Sequence, residues 1–245
     1  MKNLVKMGFV RLYKNWFYVL GCILAFVITV WFMQTRPIPQ LANDDAESVA
    51  ILLSAAIVLY FSMFVGFFIG NENEDGNLRN KVMAGHSQIS VYLSHYIVLV
   101  SALVIMLFCW LAGAMVGGAH LQLRLAVYLL VACLYNSAFI AVIMSIVFRL
   151  KKQTTGIVIG VGIFYFLIST VLIGNFIYSV TYDNAFVNNI VVALYNLSPL
   201  GQCFARTSLS DPGLAVTGVQ VGLSALIIVA ALYVGTLGLK KRDIN

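Results

Sequence analysis

Charge is what this sequence has least of. Only 10% of its 245 residues are Asp, Glu, Lys or Arg, and 61% are hydrophobic, whereas soluble domains carry about 25% charged residues. A soluble fold of this length could not hide so much apolar surface, and the apolar runs reach the length a bilayer requires. Charge is missing above all from the middles of those runs. Intramembrane charges usually mark ion paths or proton relays, so their absence argues against a proton- or sodium-driven carrier. A Walker A sequence is also missing, which removes that route to cradling a nucleoside triphosphate.

Metal and redox patterns are equally scarce. Cys22, Cys109 and Cys133 stand far apart within apolar runs, and Cys203 sits alone in a later loop. No CxxC or Cys/His spacing suggests zinc, and isolated thiols of this kind pack as small hydrophobes. His86 and His95 have no carboxylate at a metal-ligand spacing, and Gly85-His86-Ser87 has no partner base, so an intramembrane hydrolase is disfavoured. His120 reads as a solvated or interfacial side chain. The formal net charge of +6 would ordinarily raise nucleic acid as a partner. Its distribution instead speaks for membrane orientation, and no nucleic-acid partner is expected.

What is present is a series of apolar runs. Residues 1–15 mix Lys2, Lys6, Arg11 and Lys14 with apolar side chains, a composition suited to a helix in the headgroup layer. The run 16–33 exceeds the usual signal-peptide core and no small-x-small site follows, so it is read as an uncleaved first span. Pro37 and Pro39 break the chain before the next run. Further spans are expected at 48–70, 95–116, 124–148, 156–178 and 218–239. The fold class is therefore all-α, a single polytopic membrane domain with six transmembrane helices. Residues 179–217 are too apolar for a plain loop and too polar to span. Phe186, Ile190, Val191, Ala193, Leu194 and Leu197 recur there at roughly helical spacing, which predicts an extracellular re-entrant or interfacial helix covered by protein or water.

Orientation follows from the basic residues. Twelve of the fifteen Lys and Arg fall on the side of the N-terminus, and only Arg36, Arg124 and Arg206 on the other. The positive-inside rule places the twelve in the cytoplasm, with both termini.

The segment 71–94, NENEDGNLRNKVMAGHSQISVYLS, is then a cytoplasmic insert between the second and third spans. Asn77 can cap a short helix through its side-chain oxygen, Gly85 can end that helix in the left-handed conformation, and Ser87 can cap the next one. Glu72, Glu74 and Asp75 precede Gly76, and Arg79 and Lys81 lie in the short helix. Such a surface helix suits something soluble that pushes on it or is held by it.

Two residue groups inside the spans have a choice of roles. Gly156 and Gly160 form a G-x-x-x-G pair that lets backbones approach closely, either at a subunit interface or within one subunit. Tyr60, Phe64, Phe67 and Phe68 on the second span and Phe164, Tyr165 and Phe166 on the fifth could line an apolar path, face lipid or pack. Asn136 and Asn175 are the strongly polar side chains well inside spans, suited to interhelical hydrogen bonds or a substrate contact.

The run Glu72-Asn73-Glu74-Asp75-Gly76-Asn77-Leu78-Arg79-Asn80-Lys81, followed by Ala84-Gly85-His86-Ser87, resembles the E-x-x-D-G-T-[LI]-R-N-K…x-G-H-S pattern of ABC-2-type exporter permeases of Gram-positive bacteria, and among them the peptide exporters of the phenol-soluble modulin type. Asn77 stands where those permeases have threonine, and either residue can cap. The resemblance covers the whole chain in architecture and about sixteen residues in motif. It implies a coupling helix at about 77–84 docked on a separate ATPase subunit. Glu72, Glu74 and Asp75 would face or brace that contact, and Arg79 and Lys81 would pair with it. It also implies a second permease copy or paralogue, near whose interface Gly156 and Gly160 would lie, and a bacterial cytoplasmic membrane as the location. ATP and Mg would belong to the partner, with no cofactor bound by this chain and no enzymatic activity of its own. The expected function is export of amphipathic peptides or other antimicrobial compounds, with Phe64, Phe68 and Asn175 as candidates for the substrate path. The alternative is a non-transporting membrane scaffold or sensor that anchors a cytoplasmic partner.

Overall fold

The computed structural model describes residues 1–37, 44–150, 152–180, 185–205 and 217–237. Pro39, Lys151, Asp183, Arg206, Asp211, Pro212 and the basic tail at 240–242 lie outside the described residues. The described residues form helices and no strand. In order these are α1 (Lys2–Lys14), α2 (Trp16–Thr35), α3 (Ala46–Leu53), α4 (Ala55–Glu74), α5 (Asn77–Met83), α6 (Gln88–Val116), α7 (Leu123–Val147), α8 (Gln153–Val180), α9 (Ala185–Leu197), α10 (Pro199–Phe204) and α11 (Thr217–Thr236).

Among the described residues, six stretches are long and apolar enough to cross a membrane: α2, the α3–α4 pair, α6, α7, α8 and α11. Helices α4, α6 and α7 form the interior with α3, while only 22% of the apolar window of each of α2, α8 and α11 is buried. Apolar faces left open on three outer helices need an apolar solvent, as in a multi-pass membrane protein.

The helices run past the edges expected from hydropathy. The second span is Ala46–Glu74 and the third begins at Gln88. The cause is that helical hydrogen bonding continues wherever caps and side-chain partners allow, not only where residues are apolar. Ser87 starts α6 by accepting the Ser90 N–H at 3.2 Å. A one-residue break at Ser54 separates α3 from α4. There the Ser54 hydroxyl donates to the Ile51 carbonyl at 2.6 Å, a local bond that competes with the helical ladder. The Trp110 indole N–H takes the Ala50 carbonyl at 3.0 Å.

Close contact between α4 and α8 rests on glycine. A Cβ on Gly160 would overlap the Ser62 carbonyl, and one on Gly66 would come 2.5 Å from the Gly156 carbonyl carbon. The G-x-x-x-G pair thus packs against α4 within the chain. Gly162, by contrast, has open space where a side chain would be.

Phe64 and Phe68 are fully buried. Phe64 packs against Phe17, Tyr18, Tyr60, Phe61 and Phe68 with ring centroids 5.5–6.2 Å apart. They fill the space between α4, α2 and α6. Asn175 is bonded to the Tyr195 hydroxyl, which also donates to the Val171 carbonyl at 3.2 Å, so α9 is clamped onto α8. Asn136 donates to the Ala132 carbonyl of its own helix at 2.9 Å.

Cys203 is not in an open loop. It is fully buried in α10, donates to the Ile51 carbonyl at 3.3 Å and lies beside the Ser54 and Tyr128 hydroxyls. A variant keeping Cys203 as its only cysteine is expected to resist a water-soluble maleimide from either side until it is unfolded. Labelling of the folded protein as fast as at an exposed engineered thiol would contradict this burial.

Candidate functional site

The segment that carries the motif folds into a compact device at one end of the bundle. Glu72 and Glu74 are not in a loop: α4 continues through Asn71, Glu72, Asn73 and Glu74 to its last turn. Gly76, at φ 68°, ends α4 and starts α5 in one step. It takes the cap position expected for Asn77, which is instead the first residue of α5. Glycine is favoured there because an L side chain is strained in the left-handed region. Gly85, at φ 88°, ends α5 as expected. The Gly85 N–H bonds to the Val82 carbonyl at 3.0 Å and the His86 N–H to the Lys81 carbonyl at 3.3 Å, a paired closure of the Schellman kind.

Within this frame the charges divide. Glu72 is 2% exposed and anchors a buried cluster drawn from four helices. Lys81 of α5 donates to both its carboxylate oxygens, at 2.9 and 2.7 Å. Arg11 of α1 forms an ion pair with Oε1, donates to the Phe68 carbonyl at 3.0 Å and lies over the Phe68 ring, 4.8 Å from its centre. His95 of α6 sets Nε2 against Glu72 Oε2 at 2.6 Å and Nδ1 against the Val91 carbonyl at 2.7 Å. The Val91 carbonyl can only accept, so Nδ1 carries a proton, and the Nε2–Oε2 contact holds one more. Burial, aided by the Arg11 guanidinium, pulls the Lys81 ammonium down to about 8, which leaves it charged at neutral pH. Burial also lowers Arg11, opposed by the Asp75 carboxylate.

Beneath α5, Leu78 packs with Leu4, Val91 and Phe148. The helix is therefore held by an apolar contact at Leu78 and an ionic one at Lys81, three residues on and on the same face. Its neighbours fasten the adjoining loop. Asn73 donates to the Leu150 carbonyl at 2.7 Å, and Glu74 accepts the Gln153 N–H at the start of α8 at 2.8 Å. Arg149 reaches the Val234 carbonyl of α11 at 2.7 Å. Basic residues from α1, α5 and the α7–α8 turn thus gather at one end of the bundle, whereas Arg36 bonds near the end of α2 and Arg124 meets Ser48 at the other.

Of the expected contact residues, Glu72 and Lys81 are spent on each other, and Glu74 on α8. Asp75, Asn77, Arg79, Asn80, Met83 and Gly85 are exposed or nearly so, and Met83 is 66% exposed. Arg11 and His95 were not foreseen as members. A signal existed for His95 and Glu72: each falls on a buried stripe at helical spacing, Val65–Phe68–Glu72 on α4 and Val91–His95–Val98 on α6. For Arg11, fifty-seven positions from the Phe68 carbonyl it binds, the sequence holds no such signal. Among the described residues, no group of three or more His, Cys, Asp or Glu could hold a metal.

Compared with known proteins, the chain matches no family model and no curated sequence.

Proposed function

We propose that this chain is the permease subunit of an ATP-binding-cassette exporter, with α5 as the helix on which a separate ATPase subunit docks. The observation that carries the reading is the construction of α5. A two-turn helix is set between two left-handed glycines, with Arg79, Asn80 and Met83 facing out. It is fixed from below by Leu78 and by the Lys81–Glu72 pair. A solvated hairpin has no use for a buried anion shared by four helices. A lever does, because force applied to its outer face must reach the spans without bending the connection.

In this reading the α1–α5 end is cytoplasmic, with both termini, in a bacterial plasma membrane. ATP and Mg are bound by the partner, a second permease copy or a paralogue completes the path, and the cargo is an amphipathic peptide or antimicrobial compound. The buried end of the α9–α10 segment accords with a re-entrant region on the outer side.

The test is co-purification in mild detergent. A tagged wild-type chain should bring with it a subunit bearing a Walker A motif. Arg79→Glu combined with Asp75→Lys should cut the ATPase recovered per permease roughly thirtyfold, the loss of about 2 kcal/mol expected at an interface anchor. Membrane yield should stay normal, because these side chains are exposed and single surface pairs contribute only about 0–1 kcal/mol to folding. Arg79→Cys should react with an impermeant maleimide only after cells are permeabilised. Unchanged ATPase recovery with the reversals in place leaves the scaffold or sensor reading.

A further inference from the structure

A second site lies away from the charge cluster, deeper in the bundle. A cleft of about 150 Å³ runs between α7, α8 and α11 and is closed at one end by α9 and α10. Its floor is Ala138 and Phe139 of α7, one wall is Ile163 and Leu167 of α8, and the other is Ile227 of α11. Apolar cavities of about this volume stay dry and take up a single benzene-sized group. Left empty, such a space costs stability in proportion to its volume.

The closed end is not apolar. Gln202 of α10 and Ser224 of α11, both buried, meet there. Gln202 Nε2 donates to the Asn196 carbonyl at 2.7 Å and to Ser224 Oγ at 3.2 Å. Its carbonyl oxygen has only a long contact from the Ser224 hydroxyl, at 3.4 Å. An amide oxygen so weakly served in an apolar setting gains from a further donor. The lipid acyl chains that bathe α8 and α11 bring none. A residue of a peptide brings both parts: an apolar side chain for the cleft and an adjoining N–H for Gln202.

We propose that the cleft between α7, α8 and α11 is a binding site for one apolar side chain of an amphipathic peptide, with Gln202 accepting from the adjoining N–H. This rests on the export reading for its biological sense, and adds to it the size and chemistry of the group recognised. Ser224 holds the Gln202 amide in place, and its own position is fixed by the packing of α11 on α7.

The experiment uses the full chain in lipid nanodiscs, without ATPase, and two photoreactive probes. One is N-acetyl photo-leucine amide; the other is a phosphatidylcholine with a diazirine in its acyl chain. The leucine probe is expected to label Phe139, Ile163 and Ile227, and excess N-acetyl-leucine amide should displace it. The lipid probe should label Ile23 and Val27 on the open face of α2 and spare the cleft. Ala138→Phe and, independently, Ile227→Trp fill the cleft from different helices. Each should lower leucine-probe labelling there roughly tenfold, the equivalent of excluding one buried apolar side chain, with α2 labelling unchanged. If one of them fails to yield monodisperse protein, the other decides. Equal leucine-probe labelling of the cleft and α2 overturns the proposal. So does lipid labelling of the cleft that the leucine amide cannot displace, or labelling that persists in a folded filled variant. Because no ATPase is present, the cleft can fail while the permease reading stands, and co-purification can fail while the cleft still binds.

Discussion

Glu72→Leu is expected to destabilise the protein by about 3–5 kcal/mol, the usual consequence of removing one partner from a buried ionic group. The substitution leaves Arg11, Lys81 and His95 converging on an apolar side chain, with no anion among them. The measurement is thermal unfolding of detergent-purified protein, with the monodisperse fraction followed in parallel. Adding Arg11→Met and Lys81→Met to Glu72→Leu should restore most of the loss, because a buried ionic group replaced whole by apolar residues of similar size is often neutral or better. Arg79→Glu serves as the control and should unfold as wild type. If Glu72→Leu unfolds like wild type, the cluster is not held together as described, and α5 has lost its connection to the spans.

The second large effect is expected at Gly160. Gly160→Leu drives a side chain into the backbone carbonyl of Ser62, and a helix backbone cannot give way as a flexible side chain can. Overpacking a core costs about 1–3 kcal/mol even where side chains can shift, so the loss here should reach or exceed the top of that range. Monodisperse yield should collapse. Gly162→Leu, two positions on, projects into open space and should leave yield unchanged. Its helix propensity alone favours the variant by up to about 1 kcal/mol. Normal yield for Gly160→Leu, accompanied by loss of a crosslinked dimer, would instead place that glycine face against a second copy.

Both variants mark places where the sequence pointed to the right residues but left their neighbours undetermined. The G-x-x-x-G spacing announced a close approach of backbones and could not say to what; Gly66 and Ser62 on α4 supply the answer. The acidic run 72–75 stood out within the long polar insert between the second and third spans. Its division into a buried Glu72, a loop-binding Glu74 and an exposed Asp75 depended on where the helical phase of α4 carried each side chain. Read as a continuation of the stripe through Val65 and Phe68, Glu72 could have been placed inside. Polarity alone points to solvent, but a charge can be buried when its partners are buried with it.

The order of six apolar helices, the short polar helix between the second and third, and its stop at Gly85 were settled by the sequence alone. These are local properties: run length, propensity, capping and the sterics of φ act within a few residues of one another. Tertiary structure alone decided that α1 would bring Arg11 to Glu72, that His95 would close the cluster, and that Cys203 would be buried against the break at Ser54. It also decided that α7, α8 and α11 would leave a cleft ending at Gln202. Each of these joins residues tens to more than a hundred positions apart. Their pairing is fixed by which helices pack together, a matter of shape and volume across the bundle that no short window of sequence contains.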